Sequence, residues 1–114
     1  MHEMSIALSI IDLAQKELER AGAGKVVEVE LDIGVLSGIE TEALRFALEV
    51  AAADTPAEDA EIRINRIEAL SECLECGHRF GGGGLFARCP SCKEANTRLC
   101  QGQELQVKSL MVES

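Results

Sequence analysis

The sequence contains no tryptophan and no tyrosine, and phenylalanine occurs only three times in 114 residues. Aromatic side chains bury the largest apolar areas in most protein cores. Aliphatic residues must therefore carry the packing here, and a hydrophobic content of 46% is enough for one modest core. The length predicts one domain, or one domain with a small satellite.

Positive charge is also scarce. The chain has 11 Lys and Arg against 20 Asp and Glu, a net charge of −9. This balance argues against nonspecific binding to nucleic acid or anionic membranes, because phosphate binding depends on Lys and Arg. The sequence also lacks a signal-peptide pattern at its start and any apolar run near the roughly 18 residues that a membrane span needs. We therefore expect a cytoplasmic protein that binds neither nucleic acid nor membranes.

Charge divides the sequence into distinct parts. Residues 1–72 carry a net charge of −10, residues 73–100 carry +2, and residues 101–114 carry −1. All five cysteines lie in the middle part, and their odd number argues against a disulfide framework. We predict an α/β domain formed by residues 1–72 and 101–114, interrupted by a metal-binding domain at residues 73–100.

Hydrophobic periodicity predicts two helices and three strands outside the cysteine segment. The first helix is predicted to start at Ser5 as its N-cap and to end at Ala21, which would leave the first four residues as a free arm. The segment KVVEVELDIG alternates between apolar and polar residues, which is typical of a strand with one solvent-exposed face. A second helix is expected after Thr41, which would be its cap. Further strands are predicted at residues 61–69 and 104–112.

This order predicts an α+β fold. A small three-stranded mixed sheet with two helices on one face would bury every apolar stripe, and the cysteine segment would be an inserted zinc-ribbon-like module with four cysteine ligands. The connection of strand, helix and strand predicts that the first two strands pair in parallel.

The strongest motif is the pattern C-x2-C-x12-C-x2-C. Two residues between cysteines allow a tight turn to aim both thiolates at one ion, and two such turns complete a tetrahedral site. Four thiolates leave no open coordination position, so the motif indicates a structural Zn(II) rather than a catalytic one. The four glycines at residues 81–84 are expected to form the tip of a short hairpin in the linker. The four predicted zinc ligands are Cys73, Cys76, Cys89 and Cys92.

Two other side chains in this segment are outside the pattern. Cys100 follows Cys92 by eight residues, which predicts a small buried residue or a free thiol. His78 follows Cys76 by two residues, and we expect it not to be a ligand because the tetrahedron is already complete.

The N-terminus offers a second set of donors. The amine of Met1, the main-chain nitrogen of His2 and the His2 imidazole can close two fused chelate rings on one ion, a geometry suited to Ni(II) or Cu(II). Glu3 adds a neighbouring oxygen, and Glu40 would add another if the fold brings the second helix beside the N-terminus. Taken alone, the same residues also fit an ordinary solvated arm.

Four stretches together resemble one family. The segments MHEMSI, DIGVLSGIETEAL and QGQELQVKSLMVE, with the two CxxC pairs, resemble the HypA family of hydrogenase-maturation nickel chaperones over the whole chain. The resemblance implies zinc at the four paired cysteines and nickel at the N-terminus through His2, with Glu3 and Glu40 also involved. It further implies a nickel-handling GTPase as partner and delivery of Ni(II) to the large subunit of [NiFe] hydrogenase, while some members also serve urease. No step makes or breaks a substrate bond, so we do not expect an enzyme.

Two other functions, and the oligomeric state, stay open at this point. Arg79, Arg88, Lys93 and Arg98 give the cysteine segment a local positive balance, which would suit a nucleic-acid adaptor with a zinc ribbon. The paired cysteines would also suit a thiol-redox protein, in which chelators would leave the fold intact. Either a monomer or a homodimer is compatible with the sequence.

Overall fold

The computed structural model describes residues 2–114, in which two helices and two three-stranded sheets are formed. The elements in chain order are α1 (Glu3–Ala21), β1 (Lys25–Gly34), α2 (Thr41–Ala52), β2 (Glu61–Ile67), β3 (Leu70–Cys73), β4 (Arg79–Gly81), β5 (Thr97–Gln101) and β6 (Leu105–Glu113). Neither of these two helices is long and apolar enough to cross a membrane.

The chain forms two compact units. The first runs to Asp32 and also contains Ile39–Asn65 and Gln106–Ser114, and the second consists of Ile33–Gly38 and Arg66–Leu105. The sequence predicted two domains that fold independently, one of residues 1–72 with 101–114 and one of residues 73–100. These limits stay a prediction.

The first helix starts earlier than the sequence predicted. It begins at Glu3 with His2 in the N-cap position, so the prediction of Ser5 as the cap and of a four-residue free arm is wrong. The acidic side chain of Glu3 in the first turn favours this earlier start, because negative charge is stabilising at a helix N-terminus. The helix ends as expected at Gly22, which has the left-handed conformation and a φ of 65°.

Strand β1 lies in the centre of the first sheet, in the order β2-β1-β6. Arg63 forms an ion pair with Glu28 at 3.8 Å, and Asn65 donates to Glu30 at 2.8 Å. Residue numbers therefore increase together along β1 and β2, which confirms the predicted parallel pairing.

Strand β6 runs in the opposite direction. Gln106 donates to Asp32 at 3.3 Å, and Ser109 donates to Glu30 at 3.1 Å. The sheet is therefore mixed, as predicted. The amide of Asn65 also lowers the pKa of both carboxyl groups, Glu30 and Asp32, because it donates to each of them.

The core of the first unit is aliphatic. Val29 and Leu31 on β1 are fully buried, as are Leu44 and Leu48 on α2. Helix α1 contributes five buried side chains at helical spacing and packs against α2; these are Ala7, Ile10, Ile11, Ala14 and Leu18. The alternation of β1 and the stripes of both helices were correctly predicted to form one core.

The second unit contains its own sheet, in the order β4-β3-β5, with both pairs antiparallel. The turn between β3 and β4 is the first CxxC pair itself. The glycines at residues 81–84 therefore do not form a hairpin tip, and that prediction is wrong: Gly81 ends β4, and Gly82 and Gly84 continue the chain with φ of 78° and 71°.

A close approach of two backbones requires glycine at the end of β1. A Cβ atom at Gly34 would overlap the carbonyl group of Gly102, and the Gly34 amide donates to the Glu104 carbonyl at 2.8 Å. We expect Gly34→Ala to lower the free energy of unfolding of the zinc-loaded protein by about 3 kcal/mol, because backbone cannot give way as a side chain can. Urea denaturation measures this loss.

Gly81→Ala is the matched control. A Cβ there would lie 3.3 Å from the Ala69 carbonyl oxygen, so a small adjustment accommodates it. Equal denaturation midpoints for the two variants would show that the close approach is not a constraint.

Candidate metal sites

The two CxxC pairs have the same main-chain structure, repeated 16 residues apart. The amide of Cys76 points at Cys73 Sγ at 3.4 Å, and the amide of Cys92 points at Cys89 Sγ at 3.5 Å. The residue after each pair donates its amide back to the carbonyl of the first cysteine, at 2.9 Å in both turns: Gly77 to Cys73 and Lys93 to Cys89.

Each turn depends on a left-handed residue. Gly77 has a φ of 78° and Lys93 a φ of 68°. Glycine accepts this conformation without steric cost, whereas lysine is strained in it. The sequence spacing did not reveal the role of Lys93, although its offset of 16 residues from Gly77 is a signal for it.

The four sulfur atoms converge. The Sγ atoms of Cys73 and Cys92 are 3.5 Å apart, those of Cys76 and Cys89 are 3.6 Å apart, and all four lie within 4.8 Å of one another. A tetrahedron of thiolates at 2.3 Å from zinc has sulfur–sulfur edges of about 3.8 Å, whereas a disulfide needs about 2.05 Å. The cluster therefore fits a zinc ion, and the thiols are not paired as disulfides.

Burial and charge also suit a bound cation. Cys73 and Cys89 are buried, while Cys76 and Cys92 are exposed. Burial opposes ionisation of Cys89, but the amides of Cys92 and Ser91 outweigh it and lower the pKa of Cys89 to about 7. The Glu94 amide favours the Cys92 thiolate, yet partial desolvation and the neighbouring thiols raise the pKa of Cys92 to about 12. A divalent ion that turned all four into thiolates would therefore release protons on binding.

Cys100 and His78 lie outside this cluster, as expected. Cys100 is an exposed free thiol whose Sγ lies 3.8 Å from the Arg98 carbonyl, so the alternative of a buried residue is wrong. The His78 ring stacks on Phe80 with centroids 6.1 Å apart. Its carbonyl accepts from the amide of Cys73 at 2.9 Å, so His78 helps to shape the turn through its backbone.

The described N-terminal donors lie at the start of α1. His2 is exposed, and its side chain makes no capping hydrogen bond. The first N–H groups of a helix have no acceptor within the helix, so the main-chain nitrogen of His2 is not needed for helix formation. The predicted contribution of the Met1 amine falls outside the described residues.

Glu3 and Glu40 meet in space although they are 37 residues apart. A carboxylate oxygen of Glu3 accepts the main-chain N–H of Glu40 at 3.4 Å. The structure therefore brings the start of α2 beside the start of α1, which was the condition for Glu40 to join the N-terminal donors. This contact ties the first turn of α1 to the residue just before α2.

Glu40 has a structural role that the sequence did not predict. It is the N-cap of α2, and its carboxylate accepts from the amides of Glu42 at 3.1 Å and Ala43 at 2.7 Å. The prediction of Thr41 as the cap is wrong, because Thr41 is the first helical residue. The Glu40 carboxylate accepts from the amides of Glu42 and Ala43, which follow it by two and three residues. Thr41 lies inside the helix, so its hydroxyl is not in the N-cap position.

Comparisons with known proteins agree with this architecture. A family model described as "Hydrogenase/urease nickel incorporation, metallochaperone, hypA" matches residues 1–112. The hydrogenase maturation factor HypA of Chlorobaculum parvum is 43% identical over 113 residues, covering 99% of this chain and 100% of that protein. The factor of the same name from Geobacter metallireducens is 41% identical over the same shares of both chains.

Solved structures agree as well. The solution structure of the Ni metallochaperone HypA from Helicobacter pylori is 28% identical, with a TM-score of 0.70 over 100% of this chain and 99% of that one. A second solution structure of a HypA protein has a TM-score of 0.75 at 28% identity, over 98% and 96% of the two chains.

The fold, the four-thiol cluster and these likenesses define a small α+β protein of the metallochaperone class. The match over nearly the whole chain then shows the family: this chain belongs to the HypA family of hydrogenase maturation factors. Nickel and zinc are the metals of the family, and its members act in hydrogenase maturation with other proteins.

We expect Cys89→Ser to lose zinc and to unfold the strands of the second unit, because too few aliphatic side chains are buried there to form a core without the metal. Zinc content measured by atomic emission should fall from about one ion per chain to near zero. Amide hydrogen exchange should show loss of protection in β3 and β5, while α1 stays protected.

Cys100→Ser is the control for this change, since it removes a thiol outside the cluster. Full zinc content in the Cys89→Ser protein, or equal loss in both variants, would contradict the assignment of the cluster.

We expect Glu40→Ala to lower the free energy of unfolding by about 0.5–2 kcal/mol, the usual cost of removing a helix cap. Glu40→Asn should be close to wild type, because asparagine is itself a good N-cap residue. Urea denaturation of the three proteins compares them, and equal stability of Glu40→Ala and wild type would exclude the capping role.

Proposed function

We propose that this chain binds Ni(II) at its N-terminus and delivers it to the large subunit of [NiFe] hydrogenase during maturation. The proposed donors are His2, through its imidazole and main-chain nitrogen, and the amine of Met1, with Glu3 and Glu40 as acidic neighbours. The proposal includes a structural zinc ion held by Cys73, Cys76, Cys89 and Cys92, and a cytoplasmic setting.

One observation carries the nickel proposal. The contact between Glu3 and the Glu40 amide supports it, because it brings a second acidic residue from a distant part of the sequence to Glu3. Glu3 directly follows His2, which is exposed and whose main-chain nitrogen is not needed for helix formation. Nitrogen donors suit Ni(II), and nearby negative charge favours any divalent cation. In this proposal both carboxylates act mainly through their charge, since Glu40 accepts two amides and Glu3 accepts one.

The arrangement also suits transfer rather than storage. His2 precedes the first helical residue and is exposed. The donor atoms of the N-terminus can therefore release the nickel ion one at a time while an acceptor protein supplies its own ligands. The zinc site differs in that two of its four sulfur atoms are buried and its turns are held by main-chain hydrogen bonds. We therefore assign the exchangeable metal to the N-terminus and the retained metal to the cysteines.

Within this function we propose a nickel-handling GTPase as the direct partner, with the hydrogenase large subunit as the destination. Urease proteins are a further proposed destination, in line with the description of the family. Transfer by ligand exchange needs no substrate bond to be made or broken, so we propose a carrier and not a catalyst.

We expect His2→Ala to weaken nickel binding at the N-terminus. Calorimetry should use zinc-loaded protein with its natural N-terminus, because an added residue would remove the terminal amine from the chelate. Wild type should bind about one Ni(II), and His2→Ala should bind at least 10-fold more weakly, since the imidazole closes one of two chelate rings.

His78→Ala is the matched control, because it removes the other histidine of the chain from an exposed position in the second unit. Glu40→Asn separates the two roles of Glu40: it keeps a helix cap while removing the negative charge. Equal nickel binding by wild type and His2→Ala would place the site elsewhere and overturn the proposal.

A further inference from the structure

The rare aromatic residues of this chain are not in its core. Phe46 is 67% exposed and Phe86 is 96% exposed, while Phe80 is half-buried against His78. The buried side chains of both units are aliphatic, small or sulfur-containing. Exposed phenylalanine forgoes the stabilisation that burial would provide, and aromatic residues are enriched at the centres of protein interfaces.

Phe46 belongs to a continuous surface on α2. Residues exposed on this helix recur at the spacing of one helix face, which we call the α2 outer face. It consists of Glu42, Ala43, Phe46, Glu49 and Val50. Val50 is 49% exposed, so Phe46 and Val50 form an apolar ridge beside the acidic side chains of Glu42 and Glu49.

The opposite side of α2 holds the helix rigidly in the first unit. Leu44, Ala47, Leu48 and Ala52 are buried there, and Arg45 donates to the Ile62 carbonyl at 2.6 Å. The α2 outer face is therefore a fixed platform, and a partner need not order it on binding.

The charged residues of the α2 outer face are both acidic. Among the ion pairs of the described residues none includes Glu42 or Glu49. The last turn of α2 contains no basic residue, and Asp54 follows it. A surface that pairs an apolar ridge with unpaired carboxylates is complementary to an apolar pocket bordered by Lys and Arg.

We propose that the α2 outer face is the docking surface for a protein partner that presents such a basic-rimmed apolar pocket, with Phe46 as the anchor. A second copy of the chain using the same face is disfavoured. A symmetric contact would bring the carboxylates of Glu42 and Glu49 close to the same carboxylates of the other copy, and like charges repel. This inference rests on the proposed function in taking the nickel-handling GTPase as the partner.

The position of Phe46 connects the docking surface to the proposed nickel donors. Phe46 lies six residues beyond Glu40, a rise of about 9 Å along the helix. Glu40 in turn contacts Glu3, which follows His2 directly. A partner seated on Phe46 would therefore be within reach of the proposed nickel donors while their ligands exchange.

The test measures binding of the purified GTPase to zinc-loaded protein with a natural N-terminus by surface plasmon resonance. We expect Phe46→Ser to weaken binding at least 30-fold through faster dissociation, as loss of a central anchor does. Glu49→Lys should slow association at low salt and flatten its dependence on ionic strength. Phe86→Ser, which removes a still more exposed ring from the second unit, should bind as wild type does.

Two further readouts separate the explanations. Circular dichroism and nickel calorimetry of Phe46→Ser should match wild type, because the substituted side chain is at the surface and outside the proposed metal donors. Sedimentation equilibrium of wild type and Phe46→Ser reports self-association. A wild-type dimer that Phe46→Ser dissociates would make a second copy the occupant and overturn the proposed partner.

Failure of this inference is distinguishable from failure of the proposed function. If the GTPase binds wild type and Phe46→Ser equally, the docking surface is wrong while the partnership stands. If wild type binds nickel through His2 but does not bind the GTPase, both the partner and this docking surface are wrong while the nickel site stands.

Discussion

The alternation of strand β1 is the constraint on which the first unit depends. Its apolar side, with Val29 and Leu31 fully buried, supplies the surface that the two helices cover. Its polar side presents carboxylates to both neighbouring strands, and Asn65 bridges two of them. A shift of the strand by one residue would exchange these two sides and bury acidic groups, so the alternation sets the pairing of β2 and β6 as well as the core.

The second unit is not stabilised by a large aliphatic core. Its sheet has short strands, and its most deeply buried side chains include Cys73 and Cys89 rather than a set of large aliphatic residues. Two turns with identical hydrogen bonding bring four sulfur atoms within 4.8 Å of one another. Coordination of one ion can then join two distant parts of the segment, which apolar contacts between short strands would not achieve.

The N-terminal region combines attachment with exposure. The contact from Glu3 to the Glu40 amide holds the start of α1 against the start of α2, while His2, one residue earlier, stays exposed. Glu40 serves both as a helix cap and as a source of negative charge at this point. In the proposed function, the acidic residues therefore attract the cation while the exposed nitrogen donors exchange it, and the α2 outer face would hold the acceptor close by.

Local patterns in the sequence determined a large part of this description. The period of apolar residues predicted both helices and the strands that flank the cysteine segment, because helix and strand spacing depend only on neighbours along the chain. The CxxC spacing predicted each pair of converging thiols for the same reason, since a turn of two residues brings its own ends together. That the two pairs meet was predicted from the chemistry of zinc, which binds four thiolates. The helix starts were harder to predict from the sequence. Ser5 and Thr41 are typical cap residues, but α1 starts at the acidic residue Glu3, and the carboxylate of Glu40 caps α2.

Only the tertiary structure decided which distant residues meet. The approach of Glu3 to Glu40 spans 37 positions, and the overlap that excludes a side chain at Gly34 arises from Gly102, 68 positions away. Helical spacing predicted the buried stripe of α2, but whether another element covers Phe46 on the other side depends on how the elements pack. Such features depend on how elements pack, and packing follows from the sum of long-range contacts that no local pattern contains.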